Sequence, residues 1–236
     1  NILVTLCFIA IIFGFLIANI ILPDQEFTAS ERRRLAKAPV LTWKSFFSGR
    51  FFEEFDKYTL DQFVFRDGFR GIKARASYYL FRQKDNNGIY LVNDHISKIA
   101  YPLHEKNIKQ AAEKLNGIYN RYLQGKSASY AVIPDKNYFL AQQNGYLSKD
   151  YERLLDIMQS NIENMNYIDL FDALTIDHYY RTDIHWRQEK LPLAADLLLN
   201  GMGNNARSTD VQYDKKVLHS FYGSLHGQAA LDLEPD

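Results

Sequence analysis

The chain opens on an unbroken apolar run, Ile2 to Leu22, with no charged side chain. At about 1.5 Å of rise per residue, a helix of this length spans a hydrocarbon core of roughly 30 Å. After Pro23 the pattern turns polar through Asp24 to Pro39, which reads as a juxtamembrane linker. From Leu41 to Phe81 aromatic side chains recur at helical spacing. Phe51, Phe52, Phe55 and Tyr58 share one face, and Glu53, Glu54 and Lys57 take the other. A second helix over Phe69 to Phe81 would turn Ile72, Ala76, Tyr79 and Leu80 inward. Together these segments predict a helical stalk whose apolar stripes are packing surface.

Beyond the stalk the period changes. Asn86-Asn87-Gly88 is a turn signal, and Ile89–Val92 and Ile96–Ala100 flank Asn93-Asp94 as a β-hairpin would. Lys106 to Leu123 is an amphipathic helix with Ile108, Ala111, Ala112, Leu115, Ile118, Tyr119 and Tyr122 on one side. A short apolar strand, Ser129 to Ile133, stops at Pro134; a helix over Lys149–Asn164, a strand over Tyr167–Phe171 and a helix over Gln188–Met202 follow. Helix alternating with strand predicts a parallel sheet with helices packed on it. The expected organisation is a transmembrane anchor over 1–22, linker and stalk over 23–85, and an α/β domain over 86–236. Ligands of such sheets sit at the carboxyl ends of the strands, which points to Pro134–Asn137 and Asp172–Trp186.

Charge and composition narrow the function. The 28 basic and 28 acidic residues cancel, which removes the cationic excess a nucleic-acid partner requires. Ile2–Leu22 has no small-residue cleavage site, and Cys7 follows Leu6 too early to be a lipoprotein cysteine, so the run reads as an uncleaved signal anchor with a membrane-buried thiol. With one cysteine in the whole chain, the soluble part has no disulfide. Arg32-Arg33-Arg34 argues for a cytoplasmic flank by the positive-inside rule. Asp24, Glu26 and Glu31 intervene, however, and a large downstream domain crosses despite local charge. The expectation is a single-pass membrane protein with its soluble domain extracytoplasmic. Starting on Asn1, the chain reads as beginning inside a longer product.

Tyr179-Tyr180-Arg181-Thr182-Asp183-Ile184-His185-Trp186 is the segment richest in candidate chemistry. Asp183 and His185 are close enough for the carboxylate to orient the imidazole, the base half of a nucleophilic triad. Trp186 could shield that ring or stack on a sugar. The structural alternative is that Asp183 caps the following helix and His185 is a satisfied histidine; spacing alone favours it. Lys136, after a strand, could touch an anion, and as a lone lysine it reads more simply as solvated. His178, His185 and Asp183 lack the spacing of a zinc site, so no metal is expected. Lys215-Lys216 reads as an exposed pair. No phosphate-binding loop or dinucleotide fingerprint is present, and no cofactor is expected.

The Thr-Asp-x-His-Trp pattern, between a Tyr-rich approach and an amphipathic helix, resembles the DHHW family of bacterial surface proteins. It is also similar to the related alginate O-acetyltransferase proteins of the SGNH-hydrolase-like superfamily. Glu31–Pro39, Asp61-Gln62-Phe63-Val64-Phe65-Arg66-Asp67, Asn87-Gly88-Ile89-Tyr90 and Val132-Ile133-Pro134-Asp135-Lys136 resemble further blocks, in order along nearly the whole chain. Ile184 stands where the family name has its first His. The resemblance implies a three-layer SGNH-hydrolase-like α/β domain with a parallel sheet, and transfer of an acyl group, commonly acetyl, to or from a polysaccharide hydroxyl. Asp183 would orient, His185 would be the general base, and Trp186, Tyr180 and Lys136 would contact substrate. Partners would be the polysaccharide, membrane lipid around the anchor and a membrane-bound acyl-transfer protein, with no nucleic acid. The family's Ser lies on a Gly-Asp-Ser turn, and no Gly-Asp-Ser occurs in this sequence; Ser224, in Gly223-Ser224-Leu225-His226-Gly227, is its nearest imitation. The expectation is a chain truncated at both ends, its nucleophile beyond Asp236. The alternative is a non-catalytic glycan-binding or scaffold protein using Trp186, Tyr179 and Tyr180 as a sugar platform.

Overall fold

The computed structural model describes all residues except Lys215, Leu218, His219 and Asp232, so the expected exposure of Lys215 lies outside the described residues. The chain divides into two units, Asn1–Lys84 with His226–Asp232, and Asp85–Leu225 with Leu233–Asp236. Each is a mixture of helices and small sheets.

In the first unit the apolar run forms one helix, α1 (Ile2–Ile21), long and apolar enough to cross a membrane. The segment read as a linker is folded. Its strands β1 (Phe27–Thr28) and β2 (Arg33–Arg34) pair antiparallel. Ion pairs pin this hairpin: Glu31 meets Arg33, Arg66 and Arg70, and Asp61 takes the Arg33 guanidinium on both oxygens at 2.6 and 2.7 Å. The Arg33 guanidinium, aided by the Ala36 N–H, holds the Asp61 carboxyl down at about 2 against the opposing effect of burial. Three stalk helices follow: α2 (Trp43–Phe47), started by a Thr42–Ser45 capping box, α3 (Arg50–Asp61) and α4 (Arg66–Arg75), which runs into a π-helical turn at Ala76–Leu80.

The helical period of α4 agrees with the pattern, but the buried face is the opposite one. Gly71, Ala74 and Ser77 are buried, while Tyr79 and Leu80 are exposed and Ile72 is 62% exposed. The buried face is the one with small side chains, and the Ala230 carbonyl lies over it, 3.7 Å from where a Cβ on Gly71 would stand.

The second unit begins with the hairpin of β3 (Ile89–Val92) and β4 (His95–Lys98). Asn93 and Asp94 turn it with φ of 48° and 63°, left-handed values that these two residue types tolerate and the strand twist requires. Helix α5 (Glu105–Ile118) continues as a π turn to Leu123. Strand β5 (Ser129–Ala131) lies parallel to β6 (Asn166–Ile168), with Tyr130 opposite Tyr167. Between them run α6 (Lys136–Leu140) and α7 (Tyr151–Asn161); α8 (Leu191–Gly201) follows β6. Alternation along β5 sends side chains to opposite faces. Tyr130 and Val132 pack with Ala112 of α5 and with Leu154 and Met158 of α7, whereas Ala131 packs with Leu170, Leu174 and Ala194 of α8. Helices thus cover both faces of a two-stranded parallel sheet, whose strands lie within or beside the two that the alternation predicts. The residues after β5, singled out for their place at a strand end, form α6. Asp135 caps it by accepting the Tyr138 N–H, and Lys136, Asn137 and Leu140 are buried.

Candidate functional site

The Thr-Asp-x-His segment is the tip of a pinched loop. Tyr179 and Trp186 form an antiparallel bridge, the Tyr180 N–H donates to the His185 carbonyl at 3.1 Å, and the Arg187 N–H to that of His178 at 2.8 Å. Three other stretches of the second unit hold the tip. Lys136, at the start of α6 beyond the carboxyl end of β5, is 3% exposed and directs its Nζ at the carbonyls of Tyr180 (2.8 Å), Arg181 (2.8 Å) and Asp183 (3.2 Å). Three acceptors match the three N–H donors of an ammonium. Burial pushes that ammonium down to about 7, opposed by the Asp236 and Asp183 carboxylates. Asp236 accepts the backbone N–H of Arg181 (2.7 Å) and of Thr182 (2.9 Å) and the Thr182 hydroxyl (2.5 Å). Thr182 in turn accepts the Gly223 N–H on Oγ1 at 2.9 Å and the Leu225 N–H on its carbonyl at 3.1 Å. Gly223 has to be glycine here, since a Cβ would collide with the Thr182 carbonyl.

This clamp fixes Asp183. Its carboxylate, in a residue 2% exposed, accepts the His185 N–H at 3.0 Å and Nδ1–H at 2.5 Å on one oxygen, and the Ser224 N–H at 2.5 Å on the other. Burial alone would raise the carboxyl; the N–H donors of Ser224 and His185 and the imidazole outweigh it, and the group lies below the ordinary carboxylate range. The His185 side chain is 76% exposed, so Nδ1 is held by a buried carboxylate while Nε2 faces water. Such a ring can take a proton on Nε2 with the resulting cation stabilised from behind. Asp183 does not cap the helix that follows it. The donors it satisfies belong to its own loop and to Ser224.

The other candidates take different places. Lys136 is not the solvated lysine its position suggests; all three of its protons are directed to backbone, so its contact with the site is through the loop. Trp186 is half-buried, packed against the Leu170–Leu174–Ala194 cluster and edge-on to Tyr179. Tyr179 is buried, with its hydroxyl bonded to the Pro134 carbonyl, and offers no face to a sugar. Tyr180 is half-buried beside Phe221, their ring centres 4.9 Å apart. The Ser224 hydroxyl is buried without a hydrogen-bond partner and is not bonded to His185. His178 accepts the Thr175 N–H on Nδ1 at 3.1 Å. Among the described residues no three His, Cys, Asp or Glu side chains converge as metal ligands.

Thr182, Gly223 and Asp236 escaped the sequence reading. Thr182 lies inside the motif, but nothing local marks its hydroxyl as a hub. Comparison with family models, with curated proteins and with solved structures finds no match to this chain.

Proposed function

We propose that this chain is the membrane-anchored, extracytoplasmic Asp-His part of an acyl transferase or esterase that moves an acyl group, acetyl foremost, to or from a hydroxyl of a cell-surface or exported polysaccharide. The observation that carries the reading is the Asp183–His185 pair, a buried carboxylate with every oxygen engaged behind an exposed imidazole. The loop that presents it follows the carboxyl end of β6, where ligands of parallel sheets bind. Helices on both faces of the β5–β6 pair agree with a three-layer SGNH-hydrolase-like arrangement, and α1 with a single-pass anchor.

In this mechanism His185 Nε2 removes the proton of the attacking hydroxyl as it adds to the ester carbonyl. Asp183 fixes the tautomer and stabilises the imidazolium, which then returns the proton to the departing oxygen. Ser224, with its hydroxyl buried and its N–H committed to Asp183, is not the attacking group; the nucleophile is another serine. A binding protein built on a sugar platform is disfavoured by the burial of Tyr179 and the packing of Trp186.

The test is acetate release from p-nitrophenyl acetate and from acetylated glycan by the protein purified in detergent as its gene encodes it. His185→Ala should abolish turnover. Asp183→Asn should lower kcat by about 10³- to 10⁴-fold through loss of the tautomer, and Ser224→Ala should leave it near wild type. A His185→Ala protein as active as wild type would end the proposal.

A further inference from the structure

Among the described residues the first unit keeps large apolar side chains exposed, and α1 indicates what covers them. Every residue of α1 is exposed except Phe15, Ala18 and Asn19, which lie three and four positions apart on one face. That face meets the corner between α3 and α4. The Phe15 ring lies 5.6 Å from those of Phe63 and Phe69. Asn19 closes the contact: its Oδ1 accepts the Val64 N–H at 3.0 Å, and its Nδ2 donates back to the Phe15 carbonyl at 2.7 Å. The one amide on this face of the apolar helix is therefore used to tie the corner to it.

The level of that contact follows from helix geometry. Phe15 is six residues and Asn19 two residues before the last residue of α1, Ile21, so at about 1.5 Å per residue they lie roughly 9 Å and roughly 3 Å along the axis from its end. A 20-residue helix measures about 30 Å, the thickness of the hydrocarbon core. Rings seated beside Phe15 are therefore below the headgroups, at the 5–10 Å or so reached by interfacial helices. Phe65, 75% exposed at the tip of the corner with a left-handed φ of 58°, and the exposed Ile72 of α4 project from the same segment.

We infer that the α3–α4 corner is a second membrane contact, with Phe63, Phe65, Phe69 and Ile72 inserted among the phospholipids of the leaflet beside α1. This rests on the proposed transmembrane role of α1 and extends it: the stalk enters the bilayer instead of standing clear of it. The opposite choice of buried face on α4 then has a reason. Gly71, Ala74 and Ser77 face protein, and the larger apolar side chains face lipid.

The single cysteine, Cys7 in α1, makes the two claims separable. The full chain is reconstituted in phosphatidylcholine vesicles and labelled with a thiol-reactive fluorophore at Cys7. In a Cys7→Ser background the label is placed by Phe65→Cys, by Ile72→Cys, or by Lys126→Cys in the second unit as the aqueous reference. The proposal expects acyl-chain nitroxide lipids to quench labels at positions 7, 65 and 72 several-fold more than at 126, with iodide showing the reverse order. Quenching at 7 with positions 65 and 72 indistinguishable from 126 overturns the interfacial contact and leaves the anchor intact. No lipid quenching at 7 removes the anchor, and this inference with it.

Discussion

Lys136→Met tests the clamp where its energetics are most distinctive. Wild-type Lys136 has its ammonium pushed by burial from an ordinary 10.5 down to about 7. Between those values the unfolded chain binds a proton that the folded chain does not, so stability rises with pH across that window. Each unit of difference is worth about 1.4 kcal/mol. Integrated from about pH 7 to about pH 9, the gain is about 2 kcal/mol. Methionine keeps the length and apolar stem and does not titrate, so in Lys136→Met this gain should vanish. Above about pH 9 the variant should be less stable than wild type, because the carbonyls of Tyr180, Arg181 and Asp183 lose their donors; at lower pH the removal of a buried charge offsets that loss. A buried group left unsatisfied costs about 1–3 kcal/mol.

The assay is urea unfolding of the detergent-solubilised chain in a Trp43→Phe background, which leaves Trp186, packed in the second unit, as the one indole. The comparison is the difference between the two pH curves, not either curve alone. Tyrosines with displaced values, Tyr90, Tyr151 and Tyr179 among them, move upward and out of this window. Parallel curves for wild type and variant between pH about 7 and about 9 would refute the buried-ammonium account.

Two further outcomes follow from the same unit. His95, on β4, is buried with Nδ1 lacking a partner, and burial, with the Lys136 charge adding to it, pushes it down to about 4 from 6.5. Its contribution to stability should fall as pH drops from about 6.5 to about 4, by no more than about 3 kcal/mol, and acid-unfolding curves of His95→Leu should lack that component. Gly223→Ala sets a Cβ against the Thr182 carbonyl and breaks the Gly223–Thr182 bond; a loss of about 2 kcal/mol or more is expected, read by thermal unfolding, and Gly223→Ser should lose at least as much.

Local patterns made much of the second unit legible. The β3–β4 hairpin follows from two turn residues between apolar runs, and α5, α7 and α8 from their apolar stripes. The failures have physical causes. Helix α6 is five residues long, too short to show a period, and depends on Asp135, which also takes Lys149 Nζ at 2.7 Å and the Tyr151 hydroxyl at 2.5 Å. For α4 the pattern fixes the period but not which face meets protein, because lipid and a protein core select the same side chains. The site was half legible. Asp183 and His185 are two residues apart, and their bond could be expected. Thr182 meets Asp236 across 54 residues and Gly223 across 41, distances over which no sequence period operates.

That long-range clamp bears on the choice between a catalytic and a structural Asp-His pair. A histidine kept for packing gains by using both ring nitrogens on protein, because each polar atom it buries must find a partner. Here the arrangement is inverted: the carboxylate is buried under three donors, the loop backbone is gripped by Lys136, Asp236 and Gly223, and the imidazole alone stands in water. The ordering entropy of the loop is met during folding by contacts that never touch Nε2, so the ring needs little further positioning when a hydroxyl arrives. An asparagine at position 183 has one acceptor oxygen, so it would pair with either the Ser224 N–H or the His185 N–H and set its amide donors against the other. It would not hold an imidazolium. The proposed base function therefore predicts that Asp183→Asn and His185→Ala lose activity together, although only Asp183→Asn leaves a buried backbone N–H without its acceptor and loses stability for it; variants that lost stability but kept turnover would return the pair to a structural role.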